Sequence, residues 1–181
     1  MRLFIALDIP QDVRERISAY VECIRSRCPD ARWARVDGLH VTLKFIGEIQ
    51  DARVPEVSKA LAGIKARPFD VKFDNVGFFP SPKSPRVFWI GVHAGEELPR
   101  LAEAVSEALA AIGIPREDKS YSPHLTLARA GSRGNLKALT SSVEGEAFGR
   151  MTAQEFFLYR SQLGRGGSKY TKLERFGLSE R

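Results

Sequence analysis

Cysteine is scarce in these 181 residues: only Cys23 and Cys28 occur. Their spacing is not that of a Cys-x-x-Cys pair and sets them on different sides of one predicted helix, so two ordinary thiols are expected. No apolar run approaches the roughly 20 residues needed to span a bilayer. The opening Arg2-Leu3-Phe4-Ile5-Ala6-Leu7 run meets Asp8 and Pro10 too early for a secretory signal. A cytoplasmic protein with no membrane partner is the expectation. Histidine is limited to His40, His93 and His124. Neither His40 nor His124 has a close second histidine, or an acid at ligand spacing on its own face, so neither a metal nor another cofactor is expected. A nucleophilic serine elbow and a phosphate-cradling glycine loop before a helix are also missing, which leaves covalent serine chemistry and nucleoside triphosphate hydrolysis without support.

What is present is a 43% hydrophobic chain, enough for one substantial core or two small lobes sharing one. Lysine and arginine total 28 against 22 acids, a net charge of +6. Much of the excess lies late, in Arg160, Arg165, Lys169, Lys172, Arg175 and Arg181 against Glu174 and Glu180. An anionic partner fits this balance, although charge alone does not name one.

The chain repeats itself. Arg2-Leu3-Phe4 matches Arg86-Val87-Phe88, and His40-Val41-Thr42-Leu43 matches His124-Leu125-Thr126-Leu127, both at an offset of 84. The same offset carries Ile17 onto Leu101, Val21 onto Val105 and Gly47 onto Gly131. Duplication suggests pseudo-twofold symmetry, with equivalent residues of the two halves facing each other across a cleft. The repeats run over about 1–80 and 84–165, followed by a C-terminal strand over 169–177, within one bilobal domain of residues 1–181.

Each half reads strand, helix, motif strand, helix, strand. Arg2 to Asp8 is a β-rich run, and Val13, Ile17, Val21 and Ile24 then recur at helical spacing. His40 to Ile46 is the motif strand, Asp51 is placed to cap a helix carrying Val54, Val57, Leu61 and Ile64, and Phe69 to Phe73 returns to strand. In the second half Val87 to Val92 is a strand, Leu98 to Ile112 a helical stripe ending at Gly113, and Leu125 to Arg129 the motif strand, followed by a short helix near Leu136. Strands over about Thr152 to Tyr159 and Tyr170 to Phe176 flank the Gly164-Arg165-Gly166-Gly167 turn. The fold class is therefore α+β: two pseudo-symmetric lobes, each a mainly antiparallel sheet with helices on its outer face, around a central cleft.

Side chains alternate across a strand, so His40 and Thr42 share one face while Val41 and Leu43 point to the other, and His124 and Thr126 repeat the arrangement. A lone pair of this kind suits a structural histidine; two registered copies favour chemistry. Two facing imidazoles suit in-line attack on phosphorus, because one can be neutral and the other charged near neutral pH. Bell-shaped pH dependence with limbs on either side of neutrality follows. Thr42 and Thr126 can donate to the non-bridging oxygens.

Leu39-His40-Val41-Thr42-Leu43-Lys44-Phe45-Ile46-Gly47, Ser122-Pro123-His124-Leu125-Thr126-Leu127-Ala128-Arg129, the opening Arg2 to Leu7 run, Trp33, and the tail with Tyr159, Ser161 and Tyr170 together resemble the two-histidine (2H) phosphoesterases. The likeness is to the bacterial and archaeal RNA 2′,3′-cyclic phosphodiesterases of the LigT/ThpR type and spans nearly the whole chain. It implies hydrolysis of RNA 2′,3′-cyclic phosphate ends, tRNA fragments among them, to 2′-phosphomonoesters, with 2′,5′ joining of RNA ends in some members. A monomer is expected. By residue, the resemblance implies His40 as proton donor to the leaving 3′ oxygen, His124 as proton acceptor, Thr42 and Thr126 as phosphate binders, and Arg129 as a phosphate contact. Strict alternation puts Arg129 and its repeat partner Phe45 on the wrong face, so a bulge or strand end must intervene. Phe45 is then either a base-stacking group or core. Trp33 stands between packing and base platform, and His93 reads as structural or solvent-exposed. Arg165 and nearby amides could approach RNA phosphates, although a hairpin turn explains the loop equally well. Alternative readings keep the chemistry on 2′,5′-linked oligonucleotides or ADP-ribose cyclic phosphate, or make the chain a non-catalytic RNA-end binder.

Overall fold

The computed structural model describes residues 1–117, 120–131, 136–141, 145–164 and 167–179. Its strands are β1 (Arg2–Asp8), β2 (Arg32–Trp33), β3 (His40–Glu48), β4 (Phe69–Phe79), β5 (Val87–His93), β6 (His124–Arg129), β7 (Ala147–Ala153), β8 (Glu155–Gly164) and β9 (Gly167–Gly177). Its helices are α1 (Gln11–Ile24), α2 (Val54–Ala62) and α3 (Glu97–Ala110). Among the described residues the strands form two antiparallel sheets, ordered β3-β1-β8-β9 and β2-β6-β5-β4-β7. The α+β architecture read from the sequence is the one observed. No helix among these residues is long and apolar enough to cross a membrane.

Apolar stripes build the shared core. α1 buries Val13, Ile17, Val21 and Ile24, and α3 buries Leu98, Leu101, Val105 and Leu109. Each such side chain contributes about 1.5–3 kcal/mol when fully buried. A second, smaller cluster of Phe4, Ala6, Phe157 and Tyr159 lies apart from that core. It explains why Phe156 to Tyr159 are all buried instead of alternating, since Phe156 and Leu158 join the main core while Phe157 and Tyr159 join the small one.

The sheets do not follow the order of the sequence halves. β4 pairs with β5, while β8, whose first residue falls at position 71 of β4 when moved back by the 84-residue offset, pairs with β1. Each half thus lends a long strand to the sheet built on the other half.

Several local expectations change. The single strand expected from Thr152 to Tyr159 divides at Gln154, with β7 in one sheet and β8 in the other; the Gln154 carbonyl leaves the ladder and accepts the Leu178 amide at 2.7 Å. Asp51 does not cap α2. It opens a 3₁₀ turn, Asp51–Arg53, and its carboxylate lies 3.2 Å from the Met1 ammonium. The short helix near Leu136 is one 3₁₀ turn, Lys137–Leu139. Exposed Cys23 lies on α1, whereas buried Cys28 follows the helix end. Of the Gly164 to Gly167 turn, Arg165 and Gly166 lie outside the described residues.

Candidate active site

β3 and β6 begin with the two histidines and share one burial sequence over six residues: half-buried His, buried, half-buried Thr, buried, buried, exposed. In both strands the two successive buried residues coincide with a bulge. In β3 the register against β1 runs Asp8 to His40, Ala6 to Thr42, then slips so that Phe4 meets Phe45. In β6 the register against β5 runs Gly91 to His124, Trp89 to Thr126, then slips so that Val87 meets Arg129. Each slip inserts one extra residue and returns the following side chain to the histidine face. Arg129 therefore shares a face with His124 and Thr126, and Phe45 with His40 and Thr42, against strict alternation. Because Asp8 faces His40 where Gly91 faces His124, β1 and β5 correspond at an offset of 83, one less than their letters suggest.

Each imidazole is held the same way. His40 Nδ1 lies 2.8 Å from the Gly38 carbonyl oxygen and His124 Nδ1 lies 2.7 Å from that of Ser122. A carbonyl only accepts, so the neutral form of each ring carries its proton on Nδ1, and Nε2 is the nitrogen able to take up a further proton. Aromatic walls surround them. The His40 ring centroid is 4.5 Å from Phe4, 4.9 Å from Tyr170 and 5.9 Å from Tyr159. That of His124 is 5.0 Å from Phe79 and 6.5 Å from Trp89. Burial is the largest influence on both rings and pushes their pKa values below the usual imidazole range. The backbone hydrogen bonds pull upward, and Arg14 near His40 and Arg129 near His124 push further down. The neutral ring is thereby favoured in the free protein at both positions.

The two motif strands lie beside each other, with further ties between them. Tyr121, three residues before His124, donates its hydroxyl to the Thr42 carbonyl at 2.9 Å, and buried Lys44 donates to the Pro115 carbonyl at 2.8 Å. These bonds fasten the approach to β6 onto β3. Among the described residues no group of three or more His, Cys, Asp or Glu side chains is placed to share a metal ion.

A model described as LigT like Phosphoesterase matches the chain twice in succession, over residues 7–89 and 90–170. The chain belongs to the LigT-like phosphoesterase family. It is 34% identical over 177 residues to a protein of Archaeoglobus fulgidus named RNA 2′,3′-cyclic phosphodiesterase, covering 97% of this chain and 99% of that one. A Thermus thermophilus protein of the same name is 37% identical over 190 residues, covering 98% and 90%. Apo E. coli LigT shares the fold at a TM-score of 0.82 and 29% identity, covering 99% of this chain and 98% of that one, and E. coli LigT has also been crystallised with 3′-AMP.

A cavity of about 1310 Å³ opens on one side of this LigT-like phosphoesterase, lined by His40 together with Asp8, Arg14, Arg35, Tyr170 and Lys172. Its lining includes neither His124 nor Thr126. The near-symmetry of the motifs is therefore broken by what surrounds them.

The remaining candidates separate clearly. Phe45 is not core: it is 55% exposed, its ring 5.9 Å from Phe4. Trp33 packs, pairing with Ala128 across β2 and β6, donating its indole N–H to the Cys28 carbonyl at 3.2 Å and meeting Phe88 edge-on. His93 is exposed, with Nε2 3.0 Å from Asp74 Oδ1 at the end of β5. Sequence reasoning missed Asp8, Arg14, Phe79, Trp89 and Tyr121. Asp8 ends a predicted strand and Tyr121 shortly precedes the second motif, signals many residues share; Arg14, Phe79 and Trp89 carry no local mark of the site.

Gly77 shows how closely the His124 wall is fitted. A Cβ added there would lie 2.2 Å from the Trp89 ring, so the indole lies flat over the glycine. Gly77→Ala is expected to lower stability by about 1–3 kcal/mol, the usual range for overpacking, and to displace Trp89. Denaturant unfolding and tryptophan emission measure both; unchanged values would show that the ring moves aside freely.

Proposed function

We propose that this chain hydrolyses terminal 2′,3′-cyclic phosphates of RNA, tRNA fragments included, to 2′-phosphomonoesters by metal-independent acid-base catalysis. The observation that carries this reading is the duplicated bulged strand, which presents one Nδ1-anchored imidazole, one threonine and one further side chain on the same face, twice. The names of the relatives supply the substrate class.

His124 Nε2 takes a proton from water as its oxygen bonds to phosphorus. The bond from phosphorus to O3′ breaks, and His40 Nε2 gives O3′ its proton, leaving the phosphate on O2′. In-line displacement keeps the ribose on the leaving-group side of phosphorus, away from the entering water. The cavity that borders His40 and not His124 is the side we assign to that ribose and the RNA behind it, in keeping with His40 as the acid. Arg14 lowers the pKa of His40 and Asp8, with a smaller effect, raises it, whereas the charged group acting on His124 is Arg129, which lowers it, so only His40 has a nearby carboxylate that favours its charged form. Thr42, Thr126 and Arg129 bind the non-bridging oxygens, and Phe45 offers a face to a base. A 5′-hydroxyl in place of water, moved through the same protons, gives a 2′,5′ linkage.

The test incubates the protein with RNA ending in a 2′,3′-cyclic phosphate in excess EDTA. A 2′-monoester is expected; a 3′-monoester, or loss of activity in EDTA, would overturn the reading. The pH profile adds a second test. Rising kcat/KM reports His124 losing its proton and falling kcat/KM reports His40 losing its own, so with both pKa values lowered the bell sits on the acid side of about 6.5. This amends the limbs expected around neutrality. A bound phosphate anion stabilises imidazolium, so the kcat bell should lie at higher pH than the kcat/KM bell. Coincident bells, or a flat profile, would contradict the paired titration.

A further inference from the structure

His40 stands in a charged framework that touches no reacting atom in the scheme above. Arg14, one turn into α1, donates from one guanidinium nitrogen to the Val36 carbonyl at 2.8 Å and the Asp37 carbonyl at 3.0 Å, and from another to Asp8 Oδ1. Asp8 closes β1 opposite His40, and its second oxygen accepts from Lys172 of β9. The turn that Arg14 grips, Val36–Gly38, ends at the carbonyl that holds His40 Nδ1. Residues of β1, α1 and β9 are thus linked, through Arg14, to the turn whose last carbonyl holds the ring. Opposite His124 the corresponding place is Gly91, which offers no charge.

We propose that Arg14 and Asp8 are positioning residues for His40: Asp8 orients Arg14, Arg14 fixes the Val36–Gly38 turn, and the Gly38 carbonyl so placed holds the imidazole in its Nδ1–H form with Nε2 toward the phosphate. The framework also distinguishes the two histidines, because only His40 has a carboxylate across the ladder. Burial pushes the Asp8 carboxyl up, but the Lys172 hydrogen bond and the Arg14 charge outweigh it and hold it below the usual carboxylate range, so Asp8 stays anionic near neutral pH. The other polar groups about His40 are Asp37, paired with Arg35, and the hydroxyls of Tyr159 and Tyr170; burial, with Asp8 nearby, keeps the Tyr159 phenol neutral.

The role assigned rests on the acid function given to His40, so the test has one arm without substrate. In ¹H–¹⁵N spectra of the free protein, His40 is expected to change from Nδ1–H to a tautomer mixture in Arg14→Ala and Arg14→Lys, lysine being unable to span all three acceptors, while His124 stays unchanged. In turnover, both variants should lose kcat by up to about a hundredfold, the scale of a misplaced reactive group, with a smaller change in KM. Asp8→Asn removes the carboxylate and leaves Arg14 and Lys172 uncompensated, so the falling limb of kcat/KM should move to lower pH while the rising limb stays. Should Arg14→Ala fail to fold, Arg14→Lys decides. A His40 tautomer and falling limb unmoved in all folded variants, even with a lowered Tm, would reduce the framework to a structural brace. Changed spectra in a protein inactive on cyclic phosphates would instead count against the function proposed above.

Discussion

Replacing His40 or His124 by alanine is expected to lower kcat on a cyclic-phosphate RNA by at least about a hundredfold, the lower end for a group that moves a proton in the transition state. In the scheme proposed above each ring moves a different proton in one displacement, so neither is expected to substitute for the other. The double variant should therefore fall little below the worse single variant, because removing one proton carrier already disables the step. Folding should survive. Both rings lie on the site face, outside the buried clusters, and the strands that carry them are held by their own ladders. Single-turnover rates with melting curves measured in parallel check this, and near-normal turnover by either variant would remove that ring from the mechanism.

The threonines should show the next largest loss. Thr42→Val and Thr126→Val keep the shape of a β-branched side chain at a half-buried strand position and remove only the hydroxyl donor. Loss of one preorganised donor to a developing phosphate charge costs on the order of 10²–10³ in rate. The loss should appear mainly in kcat, since the charge on the non-bridging oxygens grows toward the transition state. If KM rises with kcat unchanged, the hydroxyls bind the phosphate equally in both states and the electrostatic role falls.

Much of this site was readable because its signals are local. His40-Val41-Thr42 and His124-Leu125-Thr126 need only strand alternation to place imidazole and hydroxyl together, and the misplaced Arg129 was enough to demand a bulge or a strand end. What escaped depends on contacts between distant parts of the chain. The run from Thr152 to Tyr159 has continuous strand character, and only the two sheets competing for it reveal the break at Gln154. Asp51 has the chemistry of a cap, yet the Met1 ammonium claims its carboxylate. Arg14 reads as an ordinary polar position on an amphipathic helix; its function depends on a turn 22 residues away. The exchange of β4 and β8 between sheets was hidden for the same reason, since a strand's own residues do not name its neighbour.

The central claim is that one phosphorus atom is reached from two sides by His40 and His124. Its most direct test is a crystal structure of the protein bound to a ribonucleoside 2′-phosphate, the end that the reaction leaves. Both Nε2 atoms are predicted to lie within hydrogen-bonding reach, about 3 Å, of oxygens on the single phosphate, with Thr42 and Thr126 donating to the others and the ribose on the His40 side. A phosphate touched by one imidazole alone, with the other ring facing separate solvent, would contradict it.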